Sequence, residues 1–302
     1  MDDILDYLRS FSVSLRAANK APRTVETYTL AVEQFALFLA EHAFPTRLSE
    51  IERRHVAEHL AWLVDNRAAA TAAQRYASLR QFFKWAVEEG ELDASPMDGL
   101  RKPKIPDKPV PVLSDDELRA LLDACKPPGD SQRDRFESIR DTALLRLFID
   151  TGSRLSEIAN LKIGDVDLDR QQVTAITKGQ HLSVKYFGAK TAQALDRYER
   201  ARRRHRYAAT DWWWLAQKGR LSASGVAQVV KRRAQMAGIG HVNPHRFRHT
   251  FAHRWLAEGG NEGDLVRLMG WKDRQMLQRY GSSAAQGRAK DSHARMGLGD
   301  RL

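Results

Sequence analysis

Five of the ten prolines in this 302-residue chain fall between Ser95 and Ser114, at positions 96, 103, 106, 109 and 111. Proline has no backbone N–H to donate, and it holds the residue before it out of the helical region, so this stretch is extended and free of helix. A chain of this length can bury two cores, and the break falls where two folding units would join. We read 96–113 as a linker between a unit of residues 1–95 and a unit of residues 114–302. Arg101, Lys102, Lys104 and Lys108 against Asp107 make it basic, as suits a segment that follows a phosphate backbone.

Before the linker the hydrophobic spacing is helical throughout. A leading helix is expected over Ile4 to Leu15, and Val25, Tyr28, Val32, Phe35 and Leu39 follow Thr24 at helical spacing. Ser49 with Glu52 reads as a capping box ahead of Val56, Leu60 and Leu63. Tyr76, Leu79, Phe82, Phe83 and Ala86 mark a further helix that stops at Gly90. The aromatic residues share the apolar faces, so they belong to a core rather than to a surface for stacking bases.

After the linker, Ser114 with Glu117 caps a helix, Asp141 to Thr151 forms another that ends at Gly152, and Ser156 to Leu161 opens a short third. Gln172 to Thr177 and His181 to Phe187 read as two strands of a hairpin whose tip, Lys178-Gly179-Gln180, carries a lysine. A strand-like segment covers Asp211 to Leu215, where alternation sends at least one of Trp212, Trp213 and Trp214 into a core. The lone cysteine, Cys125, lies in the apolar pattern of Leu118, Leu121 and Leu122 and reads as buried and inert.

The formal net charge of +11 points to a polyanion as partner. Residues 1–100 hold 11 Lys and Arg against 15 Asp and Glu, and residues 101–302 hold 38 against 23, so the basic surplus belongs to the second part. There is no apolar run of 18 residues, and the N-terminus is acidic where a signal peptide is basic and then apolar, so a cytoplasmic protein without membrane association is expected.

Three segments carry chemistry. In Asn243-Pro244-His245-Arg246-Phe247-Arg248, the proline fixes a first helical turn and His245 and Arg248 share a face, bringing together a proton acceptor and a cation that can grip phosphate oxygens. In Thr151-Gly152-Ser153-Arg154-Leu155-Ser156-Glu157, Arg154 projects from a turn between two helices and Glu157 can hold it. The third segment runs from Leu268-Met269-Gly270-Trp271 to Tyr280. A tyrosine ionises near pH 10 and needs a base and nearby positive charge to act as a nucleophile.

The ordered set Thr-Gly-x-Arg-x-Ser-Glu, a hairpin lysine, Pro-His-x-x-Arg-His-Thr-Phe, and Leu-x-Gly-Trp with a tyrosine nine residues later resembles the tyrosine recombinase, or phage integrase, family over essentially the whole chain. The resemblance implies a mainly helical protein with a small antiparallel β-sheet: a SAM-like helical core-binding domain that clamps DNA (1–95), the linker (96–113), and an α+β catalytic domain (114–302). It implies that Tyr280 attacks the scissile phosphate to give a 3′-phosphotyrosine, that Arg154 and Arg248 bind the phosphate, that Lys178 protonates the leaving 5′-oxygen, and that His245 assists removal of the tyrosine proton. Trp271 stands where many members have histidine; it cannot transfer a proton, and its expected role is to position the phosphate or Tyr280. Lys185 and Lys190 are alternatives to Lys178 if the hairpin register differs. No cofactor is implied. The implied partners are double-stranded DNA core sites, further copies of the chain in a tetrameric synapse with 281–302 docking onto a neighbour, and an accessory DNA-bending factor. With only a short stretch before the first helices, a separate arm-binding domain is not expected.

Three other readings compete. Asp165, Asp167 and Asp169, or His245, His249 and His253, could hold a metal, but the acids lack the glycine and polar spacing of a calcium loop and the histidines lack the glutamate of a zinc protease. A non-cleaving DNA-binding accessory protein would share the basic surface without needing the set of catalytic residues. A type IB topoisomerase would share the chemistry, but the two-domain plan and motif wording favour recombination.

Overall fold

The computed structural model describes residues 2–106, 111–176 and 182–271, together with 277, 290, 293–294 and 296–297. The chain divides into two compact units, 1–108 and 109–302.

In the first unit a 3₁₀ turn over Ile4–Tyr7, capped by the Asp3 carboxylate, leads into α1 (Leu8–Ala17), followed by α2 (Pro22–Glu41), α3 (Arg53–Asn66) and α4 (Ala69–Glu88). Phe11, Phe35, Phe82 and Phe83 are fully enclosed and meet edge to face, Phe11 on Phe82 and Phe35 on Phe83, so the aromatics are core. The expected capping box at Ser49 and Glu52 does not form. Ser49 lies in a 3₁₀ turn (Leu48–Glu50) and its hydroxyl donates to Asp2 Oδ2, while α3 starts at Arg53 with the Glu52 N–H donating to His55 Nδ1 at 3.0 Å. The N-terminal segment bridges onto Arg47 and so captures the hydroxyl that the sequence pattern assigned to the helix.

In the second unit the Ser114–Glu117 box is present, with Ser114 Oγ accepting from Glu117 N at 3.1 Å and Glu117 Oε2 from Ser114 N at 2.8 Å, and it opens α5 (Asp115–Asp123). The next helix, α6, is longer than its apolar pattern suggested: Ser131 caps it and it runs Gln132–Thr151. Then come α7 (Leu155–Ala159), β1 (Val166–Asp167), β2 (Gln172–Ile176), β3 (Leu182–Tyr186), α8 (Ala189–Arg203), β4 (Leu215–Ala216), β5 (Gly219–Arg220), α9 (Ala223–Met236), α10 (Pro244–Ala257) and α11 (Glu262–Met269). The sheet β1-β2-β3 is antiparallel, with Val173 opposite Lys185 and Thr174 opposite Val184; β4 and β5 form a separate hairpin. In the strand-like segment expected over Asp211 to Leu215, Trp212 forms an isolated antiparallel bridge with Lys162 and Leu215 opens β4. Trp213 and Trp214 are buried and pack on Tyr198, whereas Trp212 lies under the Arg220 guanidinium.

Part of the basic surplus is structural. Asp141, fully buried, accepts from Arg140 Nε (2.8 Å), Arg233 Nε (2.9 Å) and Arg232 Nη2 (3.0 Å), tying α6 to α9. Arg202 donates to the carbonyls of Trp212 and Trp213. These cations neutralise and satisfy buried groups, so composition overstates the charge available to a polyanion. Cys125 is buried, and burial pushes its thiol up to about 11.

Candidate active site

The site is built on two left-handed glycines. Gly152 (φ 55°) ends α6, and a Cβ there would stand 2.8 Å from Phe251 Cβ on α10, so the turn and the helix meet at a distance only glycine allows. Arg154 follows as the residue that opens α7. Its backbone N–H donates to Glu157 Oε2 at 2.8 Å and its Nη1 to Glu157 Oε1 at 2.7 Å, so one carboxylate holds both ends of the arginine. The Glu157 side chain is 1% exposed and that of Arg154 is 35% exposed. The cation is anchored from within and open to the outside.

Gly270 (φ 59°) ends α11 in the same way. It turns the chain so that its own N–H reaches Arg267 O and the Trp271 N–H reaches Val266 O, both at 3.1 Å. A helix leaves its last carbonyls without intrahelical partners, and these carry the negative end of the helix dipole. Here the next three carbonyls each meet a cation: Leu268 O accepts from Lys185 Nζ, Met269 O from Arg248 Nη2, and Gly270 O from Arg154 Nη2 at 3.2 Å. Arg248, buried on α10, also donates Nη1 to Gly152 O at 3.1 Å and lies 5.7 Å from the centre of the Trp271 ring. Trp271 packs with Ala252, Leu256, Leu265 and Met269.

His245 is exposed in the first turn of α10, one turn before Arg248, and Asn243 is the N-cap of that helix. Arg154, Glu157, Arg248 and Trp271 are thus gathered around the end of α11. Lys178, at the hairpin tip, and Tyr280 lie outside the described residues, as does most of 281–302. Among the described residues no group of three His, Cys, Asp or Glu side chains is placed to hold a metal. Asp165 accepts from the Lys162 N–H at 2.7 Å and Asp167 from the Arg170 N–H at 2.8 Å, which makes them turn-forming residues. No helix among the described residues is long and apolar enough to cross a membrane.

What sequence reasoning missed is the place of Lys185, which it offered only as an alternative to Lys178 at the hairpin. Lys185 points to the interior face of β3 opposite Val173, is 1% exposed, and interacts electrostatically with Glu157, Arg248 and Arg154. Burial pushes its ammonium down to about 8, against the pull of the Glu157 carboxylate and with the help of the two guanidinium groups.

Residues 111–286 match the model of the phage integrase family, and residues 7–90 match that of the phage integrase N-terminal SAM-like domain. Tyrosine recombinase XerC of Corynebacterium efficiens is 31% identical over 230 residues, which span 75% of this chain and 73% of that protein. The structure of the XerH site-specific recombinase in a post-cleavage complex with a palindromic difH substrate is similar with a TM-score of 0.73 at 19% identity, covering 92% of this chain and 81% of that one. A lambda integrase tetramer bound to a Holliday junction is similar with a TM-score of 0.69 at 17% identity, covering 89% and 77%. At these identities the two solved structures establish the fold.

Proposed function

We infer the function from the premise that this chain belongs to the phage integrase family: it is a tyrosine-type site-specific DNA recombinase. The observation that carries the reading is the convergence of Arg154 and Arg248 on neighbouring carbonyls at the end of α11, ten and eleven residues before Tyr280 in the sequence. Two guanidinium groups fixed side by side suit a phosphate with two non-bridging oxygens, and they offset the charge that grows on it in the transition state. In this reading the Tyr280 oxygen attacks the phosphorus, its proton passing to His245, and the bond to the 5′-oxygen breaks as Lys178 gives that oxygen a proton. The product is a 3′-phosphotyrosine and a free 5′-hydroxyl. Because the phosphoester is exchanged rather than hydrolysed, a 5′-hydroxyl from another strand reverses the step without ATP, and the charge stabilisation comes from side chains rather than a metal. Trp271 stacks beside Arg248 and keeps its guanidinium oriented.

The first unit, 1–95, would clamp the duplex, with 96–113 as the strap that connects it to the catalytic unit. The partners are double-stranded core sites and further copies of the chain in a tetrameric synapse, with an accessory DNA-bending factor where the site requires one. The cytoplasm is the compartment that this substrate implies.

The test is covalent capture. A site recovered by selection from random duplexes is nicked on the 3′ side of the scissile phosphate, so that the short fragment carrying the new 5′-hydroxyl diffuses away, and the protein–DNA adduct is resolved on a denaturing gel. Wild type accumulates adduct and Tyr280→Phe does not. Binding without adduct in the wild type would establish a non-cleaving DNA-binding protein instead, and an adduct that survives Tyr280→Phe would remove Tyr280 as nucleophile.

A further inference from the structure

β3 is assembled against its own hydrophobic pattern. Leu182, Val184 and Tyr186 are exposed, while Lys185 between them is buried, although a shift of one residue in register would reverse the arrangement. Enclosing an ammonium is costly, and a strand position opposite Val173 favours an apolar, β-branched residue. The lysine is held there by Glu157 and by the carbonyl of Leu268.

We propose that Lys185 is a positioning residue for DNA cleavage: with Arg248 and Arg154 it closes a three-cation clasp on the carbonyls of Leu268, Met269 and Gly270, and so fixes the segment that continues to Tyr280. The inference rests on the recombinase reading above. Its force comes from a difference among the three cations. Arg154 is open to solvent and, on that reading, both arginines must turn donors toward the scissile phosphate. Lys185 is enclosed and its ammonium is committed to Leu268, so bound DNA does not compete for that bond. It is the member of the clasp that persists when the arginines are recruited. It also joins β3, which leads back to the hairpin bearing Lys178, to the helix that leads on to Tyr280, so the proton donor and the nucleophile would share one anchor.

The experiment compares wild type, Lys185→Met and Lys178→Met on two nicked duplexes, one with the natural bridging oxygen and one with sulfur at the bridging 5′ position. A thiolate leaves without being protonated, so sulfur restores a variant that lacks only the proton donor. Lys185→Met is expected to form adduct about 10- to 100-fold more slowly on both duplexes, as misplacement of a reacting group by about an ångström does, with DNA affinity within about twofold of wild type. Hydrogen exchange in peptides from Leu268 onward should be faster in this variant on DNA. Lys178→Met should be slow on oxygen and restored on sulfur. Wild-type cleavage by Lys185→Met overturns the inference, and so does its restoration by sulfur, which would make Lys185 the proton donor. Absence of adduct from wild-type protein that binds the site would instead bring down the recombinase reading. If Lys185→Met loses its folding transition, Lys185→Val, suited to a strand interior, is put through the same comparison with the same outcomes.

Discussion

Replacing Glu157 by glutamine should cripple cleavage while leaving the protein folded and bound to DNA. The carboxylate accepts twice from Arg154, at 2.8 Å from the backbone and 2.7 Å from Nη1, and its side chain is 1% exposed. Glutamine keeps the shape and one acceptor oxygen, but it turns an N–H₂ toward one of two donors, so one of the bonds is lost and replaced by a donor facing a donor. A hydrogen bond to a charged group contributes about 1.5–3 kcal/mol. Arg154 is about a third exposed, which screens part of the charge interaction, so we take about 2 kcal/mol as the loss of positioning. If the arginine must be in place for the transition state, 2 kcal/mol corresponds to about 30-fold in rate. The assay is the single-turnover rate of adduct formation at saturating protein, with affinity for the uncut site measured in parallel. Affinity should change less than about threefold, because the guanidinium remains charged and retains its bond to the Gly270 carbonyl. Cleavage by Glu157→Gln within about threefold of wild type would refute the claim that the carboxylate positions Arg154 for the reaction.

Gly152→Ala should lower stability by about 2–5 kcal/mol, the sum of a left-handed alanine and a Cβ 2.8 Å from Phe251 Cβ, and should slow cleavage by displacing the carbonyl that holds Arg248; an unchanged melting temperature would contradict this. His59 is buried against Phe35, Phe38 and Trp62, neither ring nitrogen has a partner among the described residues, and burial holds it down to about 4. The unfolded chain therefore binds the proton more readily, so the stability due to neutral His59 is complete above about pH 6.5 and falls by about 3 kcal/mol as the pH drops to about 4. His59→Phe should remove most of that slope in urea unfolding of the full chain measured from pH 7.5 to 4.5, and an unchanged slope would point to another group. Adduct formation should proceed at an undiminished rate in excess EDTA; loss of activity restored by one divalent metal would overturn the metal-free reading.

The helical first unit, the capping box at Ser114 and the turn at Gly152 were legible because each rests on local signals: apolar spacing of 3.6 residues, a hydroxyl three residues before a carboxylate, a glycine after the last turn. Ser49 shows where such signals fail. Its hydroxyl was claimed by Asp2, 47 residues away in sequence, and a helix cap inferred from spacing does not take account of a competing partner brought in by the fold. The start of α6 failed differently, because Gln132 to Arg140 is too polar to mark a helix by apolar spacing, and the helix is held there by Ser131 and by ion pairs such as Arg133–Glu137.

The site was legible only as far as side chains carry it. Arg154, Glu157, His245, Arg248 and Trp271 could be named from motif order, but what organises three of the cations is a row of backbone carbonyls, which every residue possesses and no sequence pattern marks. Lys185 was legible only as an alternative to the hairpin-tip lysine, and its place at the end of α11 was hidden for a second reason. In Leu182-Ser183-Val184-Lys185-Tyr186 the alternation assigns the apolar residues to the core and the lysine to solvent, and the observed register does the opposite. A rule based on local burial fails where another element supplies partners for the polar residue, and here α7 and α11 supply a carboxylate and a carbonyl. The inversion is therefore a signal in itself: β3 exposes three large apolar side chains while its inward face takes Lys185 to partners at the end of α11, the helix that precedes Tyr280 in the sequence, and is continued into the core by Phe187.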